Sequence, residues 1–375
     1  MAKPPSLGEF EFIDRLIKAR AASGQSFYQH PLALGIGDDA ALLPPLPEGE
    51  QLVVATDMLV EGRHYFAHVD PRSLGHKVLA VNLSDLAAMG ARPVGFTLAA
   101  GLREIDTAWL EEFATGLFAL AQKFQCACVG GDTVRVPVDA PNVFSITVLG
   151  AIENGRALRR SGAKPDDDIW VSGNLGDAAY AVERIAVDQK LNWPEPRIHL
   201  GRMLVGIANS AIDISDGFQS EVMHILRASS LPLNAELLID HLPLGPALEA
   251  AIAAGALTRE DAMCFAATGG DEYELCFTAP QAARANLIQI AAQAGVPLTR
   301  VGRMMAGRKD QASRPEPTPE PTPEPTLEPK LEPQLKPQFE PQLDWRDADH
   351  HAIDASLAAR LAQSGFDHFR QQANT

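Results

Sequence analysis

Aspartates beside glycine, serine and threonine recur along the chain in patterns that suit a hard cation. Gly35-Ile36-Gly37-Asp38-Asp39-Ala40 has the outline of a dinucleotide-binding GxGxxA turn. Two adjacent carboxylates would nevertheless repel a pyrophosphate laid against them, by about 4 kcal/mol per unit charge pair at about 4 Å and an effective dielectric of about 20. Magnesium takes oxygen ligands and bridges carboxylates to phosphates, so paired acids in a glycine turn serve it better. The same composition returns at Thr56-Asp57, Asn82-Leu83-Ser84-Asp85, Gly130-Gly131-Asp132 and Asp213-Ile214-Ser215-Asp216-Gly217. Taken singly, such aspartates are helix caps and turn residues. Their joint recurrence predicts one cleft in which several carboxylates hold cations against phosphate. The chain has no GxxxxGK[ST] motif, no kinase glycine-rich loop and no HRD-type loop, so a phosphotransferase built on it is neither a P-loop enzyme nor a protein kinase.

The acids fall at the edges of apolar runs, which places them where elements end. Leu52 to Ala55 reads as a strand that ends at Thr56-Asp57, and Leu74 to Met89 as a helix stopped by Gly90. Strands follow at Val94 to Ala99, Cys126 to Val129 and Phe144 to Leu149, with a helix at Ala108 to Phe124. A second cycle has strands at Ile169 to Val171, Ala211 to Ile214, Tyr273 to Phe277 and Leu298 to Val301, and helices at Asp177 to Ile185 and Ala282 to Ala294. Asp213 to Gly217 reads as the entry to a helix over Gln219 to Leu226, capped by Ser215 or Asp216, whose amides would face a phosphate. The alternation predicts two α+β domains, 1–150 and 151–308.

The composition bounds the function. With 375 residues, 46% hydrophobic and 21% charged, the chain has material for a substantial core. Its net charge of −16 disfavours nucleic acid and anionic membranes as partners. No apolar run reaches the length of about 18 residues that a membrane span needs, and no stretch of signal-peptide length follows the N-terminus, so the expected compartment is the cytoplasm. Cys126, Cys128, Cys264 and Cys276 lack paired CxxC spacing and read as buried thiols. From Pro315 to Gln342 the chain repeats four-residue units such as PEPT and LEPQ, an extended polyproline-II-like spacer. We assign it to a linker over 309–343, followed by a tail over 344–375 with a short helix at Ile353 to Leu361.

Gly8-Glu9-Phe10, the Gly35–Ala40 turn, Thr56-Asp57 with Val60, Gly62 and His64, the Lys77–Ala91 run KVLAVNLSDLAAMGA, Gly130 to Thr133, Arg160 to Pro165, AIDISDG at 211–217 and Tyr273-Glu274-Leu275 together resemble the bacterial thiamine-monophosphate kinases. The resemblance covers about residues 7 to 305 and returns at Gly365-Phe366-Asp367-His368-Phe369. It implies an aminoimidazole ribonucleotide synthetase-like α+β fold with the N-terminal sheet paired across a homodimer. It also implies direct in-line transfer of the ATP γ-phosphoryl group to thiamine monophosphate with several magnesium ions and no phosphoenzyme. By the same resemblance Asp39, Thr56, Asp57, Asp85, Asp132, Asp213 and Asp216 match metal positions. Gly131, Asp132, Arg160 and Ser215 match the ATP site, Asp216 and Arg160 act at the reacting phosphate, and His64 meets the thiamine phosphate.

The chain departs from that pattern in places. Where the family usually carries Gly-Gly-Glu-Asp-Tyr-Glu-Leu, this chain has Gly269-Gly270-Asp271-Glu272-Tyr273, so the shorter Asp271 takes the substrate contact, with Glu272 as the alternative. Ala55 stands where Ser is common, and Asp166 replaces a Gly. Phe366 stands for the family's terminal aromatic and is expected to pack on the thiamine rings. Two other readings remain at this stage: another enzyme of the same superfamily, or a catalytically idle nucleotide-binding scaffold.

Overall fold

The computed structural model describes residues 17–22, 34–307 and 339–363. Phe366, the Gly8–Phe10 motif and most of the proline-rich spacer lie outside them.

Two sheets organise the molecule. The first contains β1 (Glu50–Val60), β2 (Arg92–Leu102), β3 (Ala127–Arg135) and β4 (Val143–Glu153) in the order β1-β4-β2-β3. Only β2 and β3 are parallel, and the helix α2 (Thr107–Lys123) makes the crossover that such a pair requires. Beneath this sheet runs α1 (Pro71–Ala88). Asp70 caps it by accepting the Ser73 N–H at 2.9 Å, Pro71 opens it, and Gly90 at φ +71° follows its end. α1 is buried on nearly every side, with the polar Lys77, Asn82 and Ser84 among its buried residues, and its contact with α2 is made by glycines. A Cβ on Gly116 would lie 1.8 Å from Arg72 O, and one on Gly75 1.9 Å from Phe113 O.

The second sheet has the order β10-β7-β9-β5-β8-β6, formed by β5 (Asp168–Ser172), β6 (Ser210–Asp213), β7 (Leu233–Leu238), β8 (Leu275–Ala279), β9 (Leu298–Ala306) and β10 (Leu343–Arg346). The helices α3 (Asp177–Glu183), α4 (Ile198–Leu204) and α5 (Phe218–Ala228) belong to this half. So do α6 (Pro246–Ala253), α7 (Arg259–Thr268) and α8 (Arg284–Ala294), and α9 (Ala355–Gln363) ends the described chain. One continuous core joins the halves, running from Leu83, Phe96 and Phe144 to Trp170 and Phe277. A second core holds Ile169, Phe218 and Leu237 and takes up Leu357 and Leu361 of α9.

The mixed α+β fold with two strand-rich halves agrees with the sequence reading, while several boundaries are corrected. Thr56 and Asp57 do not end a strand: both sit inside β1, paired with Thr147 and Ile146 of β4. The strand expected at Cys126 to Val129 continues through Gly130-Gly131-Asp132 to Arg135, because β2 keeps pairing with it. Tyr273 precedes β8 at φ +51°, outside the strand. The segment after the spacer does more than dock a helix, since β10 adds a parallel strand to β7. Among the described residues no helix is long and apolar enough to cross a membrane. Cys126, Cys128 and Cys276 are buried free thiols, as read from the sequence, and Cys264 is half-buried.

Candidate active site

A cleft of about 720 Å³ opens between the halves. From the first half, β1 supplies Asp57 and α1 supplies Lys77, Val81 and Asp85, spaced four residues apart so that they share one helix face. From the second half come Arg160, Asp213, Ser215, Asp216 and Asp271. His64, on the loop after β1, closes one side.

Two buried polar side chains, Asn82 and Glu221, hold the acids in place, and the sequence reading assigned neither. Asn82 is fully buried on α1; its Oδ1 accepts the Asp57 N–H at 2.9 Å while its Nδ2 donates to Val78 O at 3.0 Å. Glu221, also buried, accepts the Asp216 N–H at 3.1 Å and the Ser215 hydroxyl at 3.4 Å. This corrects the expected cap: the helix α5 begins after Gly217, at φ +112°, with no side-chain cap, and Glu221 from inside the helix takes the donor. Both signals were present as a buried Asn and a Glu within helical runs, but their partners become apparent only when the elements meet.

Electrostatically, the cleft is a crowd of like charges. Burial, and then the charge of Asp216, raises the Asp57 carboxyl above its ordinary value. Asp85 and Asp213 are both pushed upward: Asp85 by burial and then by the charges of Asp213 and Asp57, Asp213 by burial with Asp57 adding to it. Arg160 is the cation that offsets this charge at both. Glu221 is raised to about 7, mainly by burial. Hard oxygen donors crowded to this degree suit divalent cations. Among the described residues no three His, Cys, Asp or Glu side chains gather as a ready-made metal cage. Magnesium retains several waters and takes one or two carboxylates together with substrate phosphates, so single carboxylates spaced around a cleft form a donor set that fits it.

The exchanged acids divide cleanly. Asp271 lines the cleft, whereas Glu272 is 1% exposed and turned inward, where its Oε1 accepts the Gly176 N–H at 2.8 Å. Asp271 sits at φ +63°, a conformation that Asp tolerates better than most residues. Backbone bonds of 2.8 Å from Asp271 N to Ser215 O and from Tyr273 N to Ile214 O clamp this loop to the Asp213–Asp216 segment. His64 Nδ1 accepts the Val60 N–H at 3.0 Å, which leaves the proton of the neutral ring on Nε2.

Other expected site residues lie elsewhere. Asp39 is exposed on the turn between Leu34 and Leu42. Thr56 points from the outer face of β1, its hydroxyl 2.8 Å from that of Thr147. Gly131 and Asp132 border a separate cavity of about 50 Å³ beside Ile36 and Leu98. Gly131 has a packing reason to be glycine, since a Cβ there would lie 2.0 Å from Leu98 O.

Comparison with known proteins places this arrangement. Residues 37–152 match the family described as AIR synthase related protein, N-terminal domain. The thiamine-monophosphate kinase of Salmonella typhimurium is 41% identical over 312 residues, covering 80% of this chain and 91% of that protein. The crystal structure of thiamine-monophosphate kinase from Stenotrophomonas maltophilia superposes with a TM-score of 0.71 at 42% identity, covering 81% of this chain and 96% of that one. AaThiL, solved in complex with AMPPCP and TMP, superposes with a TM-score of 0.62 at 27% identity, covering 80% of this chain and 92% of that one. With both sequence and fold shared over most of its length, the chain belongs to the thiamine-monophosphate kinase family.

Proposed function

We propose that the chain transfers the γ-phosphoryl group of ATP to the phosphate of thiamine monophosphate, giving thiamine diphosphate and ADP. The observation that carries this reading is the convergence of Asp57, Asp85, Asp213 and Asp216 with Arg160 on one cleft large enough for both substrates. The relatives' names and the nucleotide-analogue complex of AaThiL support it.

The acceptor is a phosphate monoester with a second pKa of about 6, so its attacking oxygen is already anionic at neutral pH and no general base is required. Phosphoryl transfer then asks the protein mainly for alignment and charge neutralisation. Asp57, Asp85, Asp213 and Asp216 would hold magnesium ions, which when bound neutralise the phosphate oxygens. Arg160 adds a guanidinium whose charge acts on Asp85 and Asp213. The Ser215 hydroxyl lies next to the Asp216 amide, and Glu221 fixes both. His64 offers its Nε2–H to a phosphate of thiamine monophosphate, and Asp271 stands in the cleft as an acceptor for the rest of that molecule.

Asp39, Thr56, Asp132 and Gly131 retain their implied metal and ATP roles as part of this proposal, as does the packing of Phe366 on the thiamine rings. We also assign the division into domains 1–150 and 151–308, and a homodimer formed through the outer face of the first sheet. There Leu52, Val54 and Met58 of β1 are 48%, 55% and 55% exposed, an apolar stripe of the kind that marks an interface. Sedimentation of the full chain at twice the monomer mass checks the dimer; monomer sedimentation contradicts it.

Incubation with ATP, magnesium and thiamine monophosphate tests the function: thiamine diphosphate is expected only when all three are present. Product formed equally well after chelation, or ATP binding without product, would overturn the reading.

A further inference from the structure

Lys77 is 3% exposed, and lysine is almost never buried without a partner. It lines the cleft from the same face of α1 as Asp85, and its ammonium lies 3.3 Å from Asp271 Oδ1, across the seam between the two halves. The same oxygen accepts the Tyr273 hydroxyl at 2.9 Å. Among the described residues no hydrogen bond reaches the other oxygen, Oδ2. Asp271 and Tyr273 both hold positive φ, +63° and +51°, a costly conformation for Tyr that persists only where surrounding contacts enforce it.

We propose that Lys77 is a positioning residue for the acceptor substrate: with the Tyr273 hydroxyl it fixes Oδ1 of Asp271, leaving Oδ2 to accept a hydrogen bond from an amine of a flat, cationic heterocycle. The inference rests on the function proposed above, since thiamine monophosphate carries such an amine on its pyrimidine ring and a positive charge on its thiazolium. A carboxylate one methylene shorter than Glu has less reach, and anchoring one of its oxygens from two sides gives it a defined position. The anchor also joins α1, which carries Asp85, to the loop that carries Asp271, so that acceptor binding and the acidic cluster share one frame.

The test is steady-state kinetics of the full chain with each substrate varied in turn, for wild type, K77M, D271N, Y273F and the double variant K77M/D271N. K77M is expected to raise KM for thiamine monophosphate by about tenfold, the scale of one charge-assisted hydrogen bond, and to leave KM for ATP unchanged. Because Lys77 acts through Asp271, the double variant is expected to be no worse than D271N alone. Y273F removes a single hydroxyl and is expected to shift the same KM in the same direction by a smaller factor, which keeps the test decisive if K77M does not fold. Equal rises in both KM values, multiplying effects in the double variant, or an unchanged thiamine-monophosphate KM in Y273F and K77M would overturn this proposal alone. A wild type that leaves thiamine monophosphate unphosphorylated would overturn the underlying function, and this proposal with it.

Discussion

The His64 side chain, which faces the cleft, shows how much one contact decides. The ring of His64 is held by the Val60 N–H at Nδ1, so its chemistry toward a ligand is that of a donor at Nε2. His64→Ala is therefore expected to raise KM for thiamine monophosphate by about tenfold, with a smaller change in KM for ATP, as measured by initial rates; equal effects on both would contradict the assignment. Asp57, Asp85, Asp213 and Asp216 were legible in the sequence because their glycine, serine and threonine neighbours set them apart from ordinary caps. Asn82 and Glu221 were not, because an Asn or Glu in a helical run is a common residue until its partner, the Asp57 or Asp216 amide, is known. Thr56 and Asp132 differ from these: in the single chain they lie outside the lining of the cleft, and their proposed roles rest on the family resemblance.

At the scale of elements, helix periodicity located α1 and α2 to within a few residues, while strand ends were set too early. An apolar run marks only the part of a strand that is buried, whereas ladder pairing carries β1 past Asp57 and β3 past Asp132. The strand β10 was hidden because its four residues, Leu343–Arg346, acquire strand character only by pairing with β7. The glycine contact that seats α1 gives a direct prediction. Gly116→Ala, whose Cβ would meet Arg72 O at 1.8 Å, is expected to destabilise the protein by about 1–3 kcal/mol through forced helix separation. Thermal unfolding measures it, and an unchanged midpoint would contradict the close helix approach.

The loop between α7 and β8 makes a prediction about pH. Glu272 is buried and pushed up to about 8, chiefly by burial, above its ordinary value of 4.5. Between these values the folded protein keeps a proton that the unfolded chain has released, so stability falls as pH rises through this window, by at most about 1.4 kcal/mol per pH unit. Glu272→Gln keeps an acceptor for the Gly176 N–H and removes the ionisation. The midpoint of the variant relative to wild type is expected to rise steadily from pH 5 to pH 8; parallel curves would contradict a buried neutral acid.

Across the whole molecule, acids from β1, α1, the end of β6 and the segment after it share a cleft because one core runs beneath both sheets and holds the halves together. The class of fold, the alternation of elements and the acid-rich motifs could all be read from sequence; the juxtaposition could not, since it depends on the packing of segments more than 100 residues apart. On the function proposed above, this juxtaposed charge drives magnesium-dependent phosphoryl transfer. The most direct measurement is the initial rate of thiamine diphosphate formation against free magnesium for wild type and Asp57→Asn, with thermal unfolding of both as the folding control. Asn retains the shape and relieves like-charge crowding, so the variant is expected to unfold no earlier than wild type while losing about 100-fold or more in rate. A folded Asp57→Asn protein with near-normal, magnesium-dependent turnover would contradict the account.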